Sequence, residues 1–378
     1  MNTLFENTSG QGNAHRTLFP FIQSGRLGYI DSSGKVILTP QFETYGDITV
    51  APVFREGLAA VEAGGKWGYM NESGKVVIEP QFDQAGPFHD GLAPVSEGGK
   101  WGFAEKSGMI AIAPQFERVG LFHNGRAAVR SGGKWGFIDK SGECKLRFQF
   151  DEVTGTDWET HAEHTGHGST NGTTNGVTHG ATHGATTGAT TGATTGATTG
   201  STTGATTGSH QHAGESQAIG VRIGEKWGYI DPSGKFLVNP KYEKAQGFHE
   251  GLAGVQFVGK WGFIGTDGNF EVNPQFEEVG GYGDGLAPGK LNGIWGYVDR
   301  KGEWVAHPQF EDAFSFYQGL ASVQSGKLRG YIDPSGKYVI DPRFDEAADF
   351  SDGLAAVRVK GEWGYIDREG NYVLTPGR

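Results

Sequence analysis

A Trp-Gly pair recurs along this chain at a spacing of 34 residues, and this period constrains the fold more than any other feature. Two degenerate pairs begin at Leu27 and Arg329. The full pairs begin at Trp67, Trp101, Trp135, Trp227, Trp261, Trp295 and Trp363. A constant period of this length is typical of tandem repeats, whose units must stack on each other because none can bury its own apolar face.

Each unit is predicted to contain three short β-strands. In the clearest copy these are residues 58–62, 66–70 and 75–79, which are apolar or alternating runs bounded by turn residues and are too short for helices. The glycine of the Trp-Gly pair is expected to let a neighbouring backbone or ring approach closely. The sequence therefore predicts an all-β protein built from three-stranded units of 34 residues.

The remaining fixed positions of the unit are turn and core signals. A second glycine stands six residues after the repeat glycine, behind Asp-x-Ser or a close relative, and predicts a turn that ends on a residue with positive φ. A proline stands twelve residues after the repeat glycine in every unit except the fourth, which has Phe148, and is expected to end the third strand. An aromatic residue follows that proline by two positions, and in six units a second aromatic follows.

The middle of the chain has a different composition. Residues 155–216 include a Gly-Ala/Ser-Thr-Thr period with almost no charge and few large apolar groups, which predicts a flexible linker. With a loose leader at 1–17, this leaves one lobe of four units at 18–154 and a second lobe of five units at 217–378. The alternative is a loop inserted into one continuous array. Two lobes are favoured because the units beside the segment are atypical, as the ends of arrays are.

Two arrangements of the units are compatible with the pattern. An open stack or superhelix is favoured, because the chain ends after a third strand and leaves no extra strand to close a ring. A ring is also disfavoured because nine blades would exceed the four to eight that are typical of propellers. Closed, β-propeller-like lobes are the alternative.

Composition argues against several functional classes. The net charge of −11 and the absence of a Lys/Arg cluster disfavour binding to nucleic acid or to an anionic membrane. No apolar run is long enough to span a bilayer, and the first residues do not resemble a secretion signal. The single Cys144 excludes an internal disulfide and, as a third-strand residue, is expected to be buried. We expect a soluble, cytoplasmic protein.

The string K-W-G-[YF]-I-D-x-[ST]-G-K-x-[VL]-[VIL]-x-P-x-[FY]-[DE] followed by G-L-A-x-V resembles the bacterial WG-repeat (KWG-repeat) family. The match extends over about 300 residues, everything except the leader and the linker. The resemblance implies a repeat module that is found in many bacterial proteins, usually without an assigned activity, and that is thought to serve binding or surface presentation. It supplies no catalytic residues.

Two sets of residues are candidates for partner or ligand contacts. The seven tryptophans could present their faces to sugars or cations, although a shared core explains a Trp in every unit better. His89, His123 and His249 occupy one phase of the repeat. If the units stack, His89 and His123 are neighbours on one edge and form a possible metal-binding or pH-sensitive pair, although a plain surface loop is favoured.

The other polar positions are better explained by turns and solvent. The recurring Asp before Ser-Gly is the expected acceptor of the turn, and no unit has the acid spacing of a calcium loop. Histidines of the linker, such as His161 and His210, are diluted by Gly and Thr. No catalytic cluster, cofactor motif or metal-site spacing is found. The sequence favours a non-enzymatic scaffold for protein partners, and the alternative is a glycan or cell-envelope binding module that uses exposed repeat aromatics.

Overall fold

The computed structural model describes residues 17–43, 51–156 and 218–377 of the chain. These residues form nine antiparallel sheets, here called blades 1 to 9, and their regular elements are all β-strands. Across this described part, no helix has the length and apolar character needed to pass through a bilayer. The prediction of an all-β tandem repeat is confirmed.

Blades 1 to 5 are built from the strands that precede residue 243. Blade 1 contains β1 (Phe19–Gln23), β2 (Arg26–Ile30) and β3 (Val36–Glu43), and blade 2 contains β4 (Leu58–Ala63), β5 (Lys66–Asn71) and β6 (Val76–Phe82). Blade 3 contains β7 (Gln84–Ala85), β8 (Leu92–Glu97), β9 (Lys100–Glu105) and β10 (Ile110–Phe116). Blade 4 contains β11 (Arg118–Val119), β12 (Arg126–Ser131), β13 (Lys134–Asp139) and β14 (Cys144–Phe150). Blade 5 contains β15 (Glu152–Val153), β16 (Ile219–Ile223), β17 (Lys226–Ile230) and β18 (Phe236–Tyr242).

Blades 6 to 9 repeat the same order. Blade 6 contains β19 (Lys244–His249), β20 (Leu252–Phe257), β21 (Lys260–Gly265) and β22 (Phe270–Phe276). Blade 7 contains β23 (Glu278–Val279), β24 (Ala287–Leu291), β25 (Ile294–Val298) and β26 (Trp304–Phe310). Blade 8 contains β27 (Asp312–Ala313), β28 (Ala321–Ser325), β29 (Leu328–Ile332) and β30 (Tyr338–Phe344). Blade 9 contains β31 (Glu346–Ala347), β32 (Ala355–Val359), β33 (Glu362–Ile366) and β34 (Tyr372–Leu374).

Blades 3 to 9 have a fourth, first-in-order strand that the three-strand prediction lacks. In six of these blades it is only two residues long, as in β7, where Ala85 pairs with Val95 of β8. A two-residue strand has no period that a sequence pattern could reveal. The loop that follows it ends at the start of the next strand, so this loop and the hairpin between β8 and β9 lie at opposite ends of the blade.

The repeat glycine faces a bulge in the outermost strand. A Cβ on Gly102 would lie 2.3 Å from the carbonyl oxygen of Ile112 and 2.6 Å from the nitrogen of Pro114. The register between β9 and β10 shifts at this point, and Pro114 lies inside β10. The expected close approach is therefore confirmed, whereas the expectation that the proline ends the strand is wrong: the proline sits in the bulge, where a residue without an N–H costs no ladder bond.

The Asp-x-Ser-Gly turn forms as predicted and also joins adjacent blades. In blade 5, Asp231 accepts hydrogen bonds from the Ser233 amide and hydroxyl, and Gly234 has a φ of 88°. A Cβ on Gly234 would lie 2.2 Å from Leu146 of blade 4. All nine turn glycines pack in this way against the outermost strand of the preceding blade.

Aromatic pairs fill the space between the blades. Tyr69 of blade 2 packs edge-on against Phe88 of blade 3, with ring centroids 4.8 Å apart, and its hydroxyl donates to the Gly86 carbonyl at 2.8 Å. Equivalent pairs are found at six further junctions, and one of them is Tyr29 with Phe54. The position of Phe54 in the repeat is hard to recognise in the sequence, because the unit before Gly68 contains six additional residues. Each core is thus shared by two blades, as a stacked repeat requires.

The nine blades close into a ring. The turn of blade 1 packs on blade 9, where a Cβ on Gly34 would lie 2.8 Å from the Val373 carbonyl oxygen. Phe19 of blade 1 packs against Tyr365 of blade 9 at 5.6 Å, and the Tyr365 hydroxyl donates to the Pro20 carbonyl at 2.9 Å. The closed, propeller-like alternative is therefore observed, and the preference for an open stack is wrong. Side-chain packing closes the ring without an added strand.

The Gly/Thr-rich segment is inserted within a blade. Strand β15 precedes it and pairs with β16, which follows it, through Glu152 with Arg222 and Val153 with Val221. The core of this junction also crosses the insertion, with Phe150 and Ile230 in one cluster. The units before and after the segment thus belong to one continuous array, which corrects the preference for two separate lobes. Residues 157–216 of the predicted linker and 1–16 of the predicted leader lie outside the described residues.

Cys144 is exposed at the start of β14, contrary to the expected burial. The outermost strands bury alternate residues only from their third position onward, and Cys144 occupies the first.

Candidate functional site

The tryptophans form part of the blade cores. Trp101, Trp135, Trp261 and Trp295 are buried, and Trp67, Trp227 and Trp363 are half-buried. Four of the seven indoles therefore lack the exposed face that a sugar platform requires, and the other three are only partly exposed. In blades 7 and 9 a basic residue covers the indole: Lys290 lies over Trp295 and Arg358 over Trp363.

Arg329 occupies the tryptophan position of blade 8 and is only 6% exposed. Its guanidinium forms an ion pair with Asp312 and lies 4.6 Å from the centre of the Phe314 ring, but its Nη1 is buried without a hydrogen-bond partner. Nearby, burial raises the pKa of Asp349 to about 6, and the charge of Arg329 opposes that rise. The degenerate pair is therefore a buried ionic substitute for the indole.

His89 and His123 lie in the loop that follows the short first strand of their blades, and His249 is the last residue of the longer strand β19. Two residues before the glycine of the Gly-Leu/Arg pair that precedes or opens the next long strand, each blade from 2 onward except blade 5 has one described residue at the same phase. We call these positions the channel mouth, and they are Arg55, His89, His123, His249, Gly283, Tyr317 and Ser351. Each of these residues forms a β-bridge or a ladder pair with the residue three positions later in the chain, as His89 does with Leu92. The next residue always has positive φ, as at Asp90 with 55°.

The channel mouth lies around the centre of the ring. Arg55 belongs to blade 2 and Tyr317 to blade 8, three junctions apart, yet each contributes to the electrostatic environment of the other. Charges interact appreciably only over short distances. Side chains from such separated blades approach each other only at the axis of the ring.

Groups of both charge signs lie around the mouth. Burial raises the pKa of Tyr317, Asp352 and Asp284 raise it further, and Arg55 lowers it. Burial lowers the pKa of Arg55. Arg55 and the carboxylates of Asp284 and Asp352 thus all act on Tyr317, and the loops of blades 2 and 3 carry carboxylates as well, in Glu56 and Asp90.

A chain of acids ties the mouth loops of neighbouring blades together. Asp90 accepts a hydrogen bond from the Gly125 amide at 2.6 Å, and Lys140 binds the same carboxylate at 2.7 Å. Burial alone would raise the pKa of Asp90, but the hydrogen bonds from Lys140 and Gly125 lower it below its usual value. Equivalent bonds run from Gly91 to Glu56, from Gly285 to Glu250 and from Gly319 to Asp284. These bonds fix the geometry of the mouth.

The structure brings together two of the three predicted histidines. The rings of His89 and His123 are 5.5 Å apart between centroids and inclined by 41°. His249 is separate from them, and its ring lies over Gly281 of the next blade. Arg55 and Tyr317 escaped the sequence reasoning, which considered only histidines. Aligning the units on the Gly-Leu/Arg-Ala string would have placed them at the same phase.

A polar cavity of about 410 Å³ lies between blades 6 and 7. Gly265 opens it, because this glycine replaces the Asp or other polar residue that begins the turn in the other blades. The lining also includes Asp267, Glu271 and Arg300. Within the described ranges, no group of three or more His, Cys, Asp and Glu residues is arranged to hold a metal ion.

Comparison with known proteins adds a family and a fold. The profile of a family described as "WG containing repeat" matches nine stretches of the chain: 28–67, 67–101, 101–135, 135–156, 227–261, 261–293, 295–328, 330–363 and 363–377. No curated protein matches the chain in sequence.

Solved structures resemble the chain at low sequence identity. A crystal structure of "the eukaryotic initiation factor" is 10% identical with a TM-score of 0.58 and covers 95% of each chain. BamB from Moraxella catarrhalis is 9% identical with a TM-score of 0.41, over 85% of this chain and 93% of BamB. Hsv2p of Kluyveromyces lactis is 10% identical with a TM-score of 0.39, over 76% and 94%. At such identity the first of these indicates a shared fold alone.

Proposed function

Because the chain belongs to the WG containing repeat family, we propose that it is a non-enzymatic scaffold that binds a protein partner at the channel mouth. The observation that carries the proposal is a contrast between two phases of the repeat. The core phases hold Trp, Gly, Pro or an aromatic in almost every unit, whereas the mouth phase holds Arg, His, Gly, Tyr or Ser. Packing dictates the first set and leaves the second free for recognition.

The shape and charge of the mouth support a polypeptide as the partner. The mouth carries charge of both signs, because Arg55 and the carboxylates of Asp284 and Asp352 all lie close enough to Tyr317 to affect its pKa. A surface with charge of both signs distinguishes partners by complementary pairing. Tyr and Arg, which the mouth offers in Tyr317 and Arg55, are also residues that dominate the energetics of protein interfaces.

The glycan alternative has lost its main support. It relied on exposed Trp faces, and the seven tryptophans are buried or half-buried. A cytoplasmic location remains part of the proposal, and the single Cys144 is compatible with a reducing compartment.

Affinity capture from a native-host lysate tests the proposal when baits that differ at the mouth are compared. The mouth variant is His123→Ser/Tyr317→Ser, which introduces the side chain that blade 9 carries at this phase in Ser351. The control is Glu97→Ser/Lys260→Ser, at exposed hairpins on the opposite face. We expect the wild type and the control to capture the same protein and the mouth variant to lose it. A protein captured equally by all three baits, or no reproducible protein at all, would contradict the proposal.

A further inference from the structure

We propose that His89 and His123 bind one transition-metal ion of the zinc, copper and nickel class at the channel mouth. The two side chains come from blades 3 and 4 and are brought together by the stacking of the units, with ring centroids 5.5 Å apart. The ion would join neighbouring blades on the face that the partner is proposed to contact. The inference does not depend on that partner.

The spacing of the two rings fits a shared ion. Imidazole nitrogens bind Zn²⁺ at about 2.0–2.1 Å, so two imidazoles on one tetrahedral ion have centroids roughly 5–6 Å apart. The observed 5.5 Å lies in this range, and the 41° inclination keeps the rings from stacking face to face. Neutral imidazole is also a ligand that suits zinc, copper and nickel.

An unsatisfied nitrogen and a nearby negative charge both favour a cation. The Nδ1 of His89 is buried and has no hydrogen-bond partner. A buried polar atom without a partner costs free energy, and coordination of a metal ion removes that cost. Asp90 directly follows His89, and its carboxylate accepts a hydrogen bond from the Gly125 amide two residues after His123 at 2.6 Å, so a carboxylate lies beside the pair.

Two protein ligands leave positions open on the ion. No third His, Cys, Asp or Glu joins the pair to make a three-ligand group among the described residues. The remaining positions face the mouth and fall to water or to a donor of a docked partner, as in metal sites that keep an open position. The ion is therefore expected to be exchangeable.

Calorimetric titration of the full chain with Zn²⁺ in the presence of a non-thiol reductant tests the site. The variants are His89→Ala, His123→Ala and, as the control, His249→Ala, which has the same phase but whose counterpart in the next blade is Gly283. Histidines of residues 157–217 and the exposed Cys144 add the same background to every protein. We expect wild type and His249→Ala to bind equally, and each of the other two to lose about one equivalent of Zn²⁺.

The test remains decisive even if one variant misfolds, because His123 is exposed. His123 is exposed, so His123→Ala is expected to melt like the wild type without metal, and its titration decides the outcome even if His89→Ala unfolds. Equal stoichiometry and affinity in His123→Ala and His249→Ala would overturn the proposal. Restoration of the lost equivalent at lower affinity by His123→Cys would support it, because a thiolate can replace the imidazole as a ligand.

Discussion

Two junctions of the ring depart from the ordinary connection in opposite ways. Between blades 4 and 5 the connection is lengthened, yet the short strand β15 still forms and pairs across the insertion. Between blades 9 and 1 the described chain has no connection and no short strand, yet the turn packing and the tyrosine hydrogen bond are both present. Repeated side-chain contacts, rather than continuity of the chain, therefore hold each junction together.

Both unusual junctions carry the same local adaptation. Seven blades have Ala at the position that pairs with the second residue after the repeat glycine, as in Ala59 and Ala93, but blade 1 has Phe19 and blade 5 has Ile219 there. Phe19 is buried and packs on Tyr365, in a junction that lacks the short strand. At the closing junction, Phe19 therefore adds apolar packing that the smaller Ala of the ordinary blades would not supply.

The largest expected effect comes from Phe19→Ala, which gives blade 1 the residue of the ordinary blades. Because no short strand is available to fill the space, we expect the free energy of unfolding to fall by about 3 kcal/mol. Ile219→Ala, at a half-buried position beside an intact short strand, should cost about half as much. Denaturant titration measures both losses, and equal losses would show that Phe19 does not compensate for the missing strand.

The packing of the turn glycines also differs between the two junctions. A Cβ on Gly34 would meet the backbone oxygen of Val373 at 2.8 Å, whereas a Cβ on Gly234 would meet the flexible end of Leu146. All tested positions, including the control Gly64 with open space around it, have positive φ. We expect Ala to cost about 3 kcal/mol at Gly34, about 2 at Gly234 and about 1 at Gly64. A reversed order in denaturant titration would show that the blade 9–blade 1 contact is loose in solution.

Tyr365→Phe removes one hydrogen bond from the closing junction and should cost about 1 kcal/mol, because the Pro20 carbonyl loses its partner. Tyr229→Phe is the matched change at a covalently continuous junction, where the hydroxyl donates to the Gln246 carbonyl at 2.7 Å. Equal losses of unfolding free energy are expected. If only Tyr229→Phe destabilises the protein, the closing contact is absent in solution.

Deletion of residues 158–215 should have the smallest effect. It leaves nine residues between Val153 and Val221, the number that separates Ala85 from Val95 in blade 3. We expect a melting temperature at or above that of the full chain, because a shorter loop costs less entropy to close. A marked fall in melting temperature would show that blade 5 depends on the inserted residues.

Features that depend on residues within one unit could be predicted from the sequence, whereas features that depend on contacts between units could not. The turn at Asp231 and the close approach at Gly102 follow from local chemistry, so the pattern was sufficient for both. The short strands and the closure of the ring depend on pairing and packing between residues that are far apart in a unit or lie in different units. A two-residue strand, or a single Phe at the closing junction, produces no periodic pattern in the sequence. At the site, the repeat phase predicted that His89 and His123 are neighbours but could not show that Arg55 reaches the electrostatic environment of Tyr317.

Closure of the ring is tested most directly by a cross-link between its first and last blades. The Thr17 hydroxyl donates to the Asp352 carboxylate at 2.5 Å, so cysteines at these two positions, in a Cys144→Ser background, should react with a short bismaleimide. The product is a covalent loop that changes mobility on a denaturing gel. A matched pair at 17 and 284, with the second cysteine two blades away at the same phase, should remain uncross-linked. The ring predicts cross-linking of 17 with 352 alone; failure of that pair to react in the folded protein would contradict it.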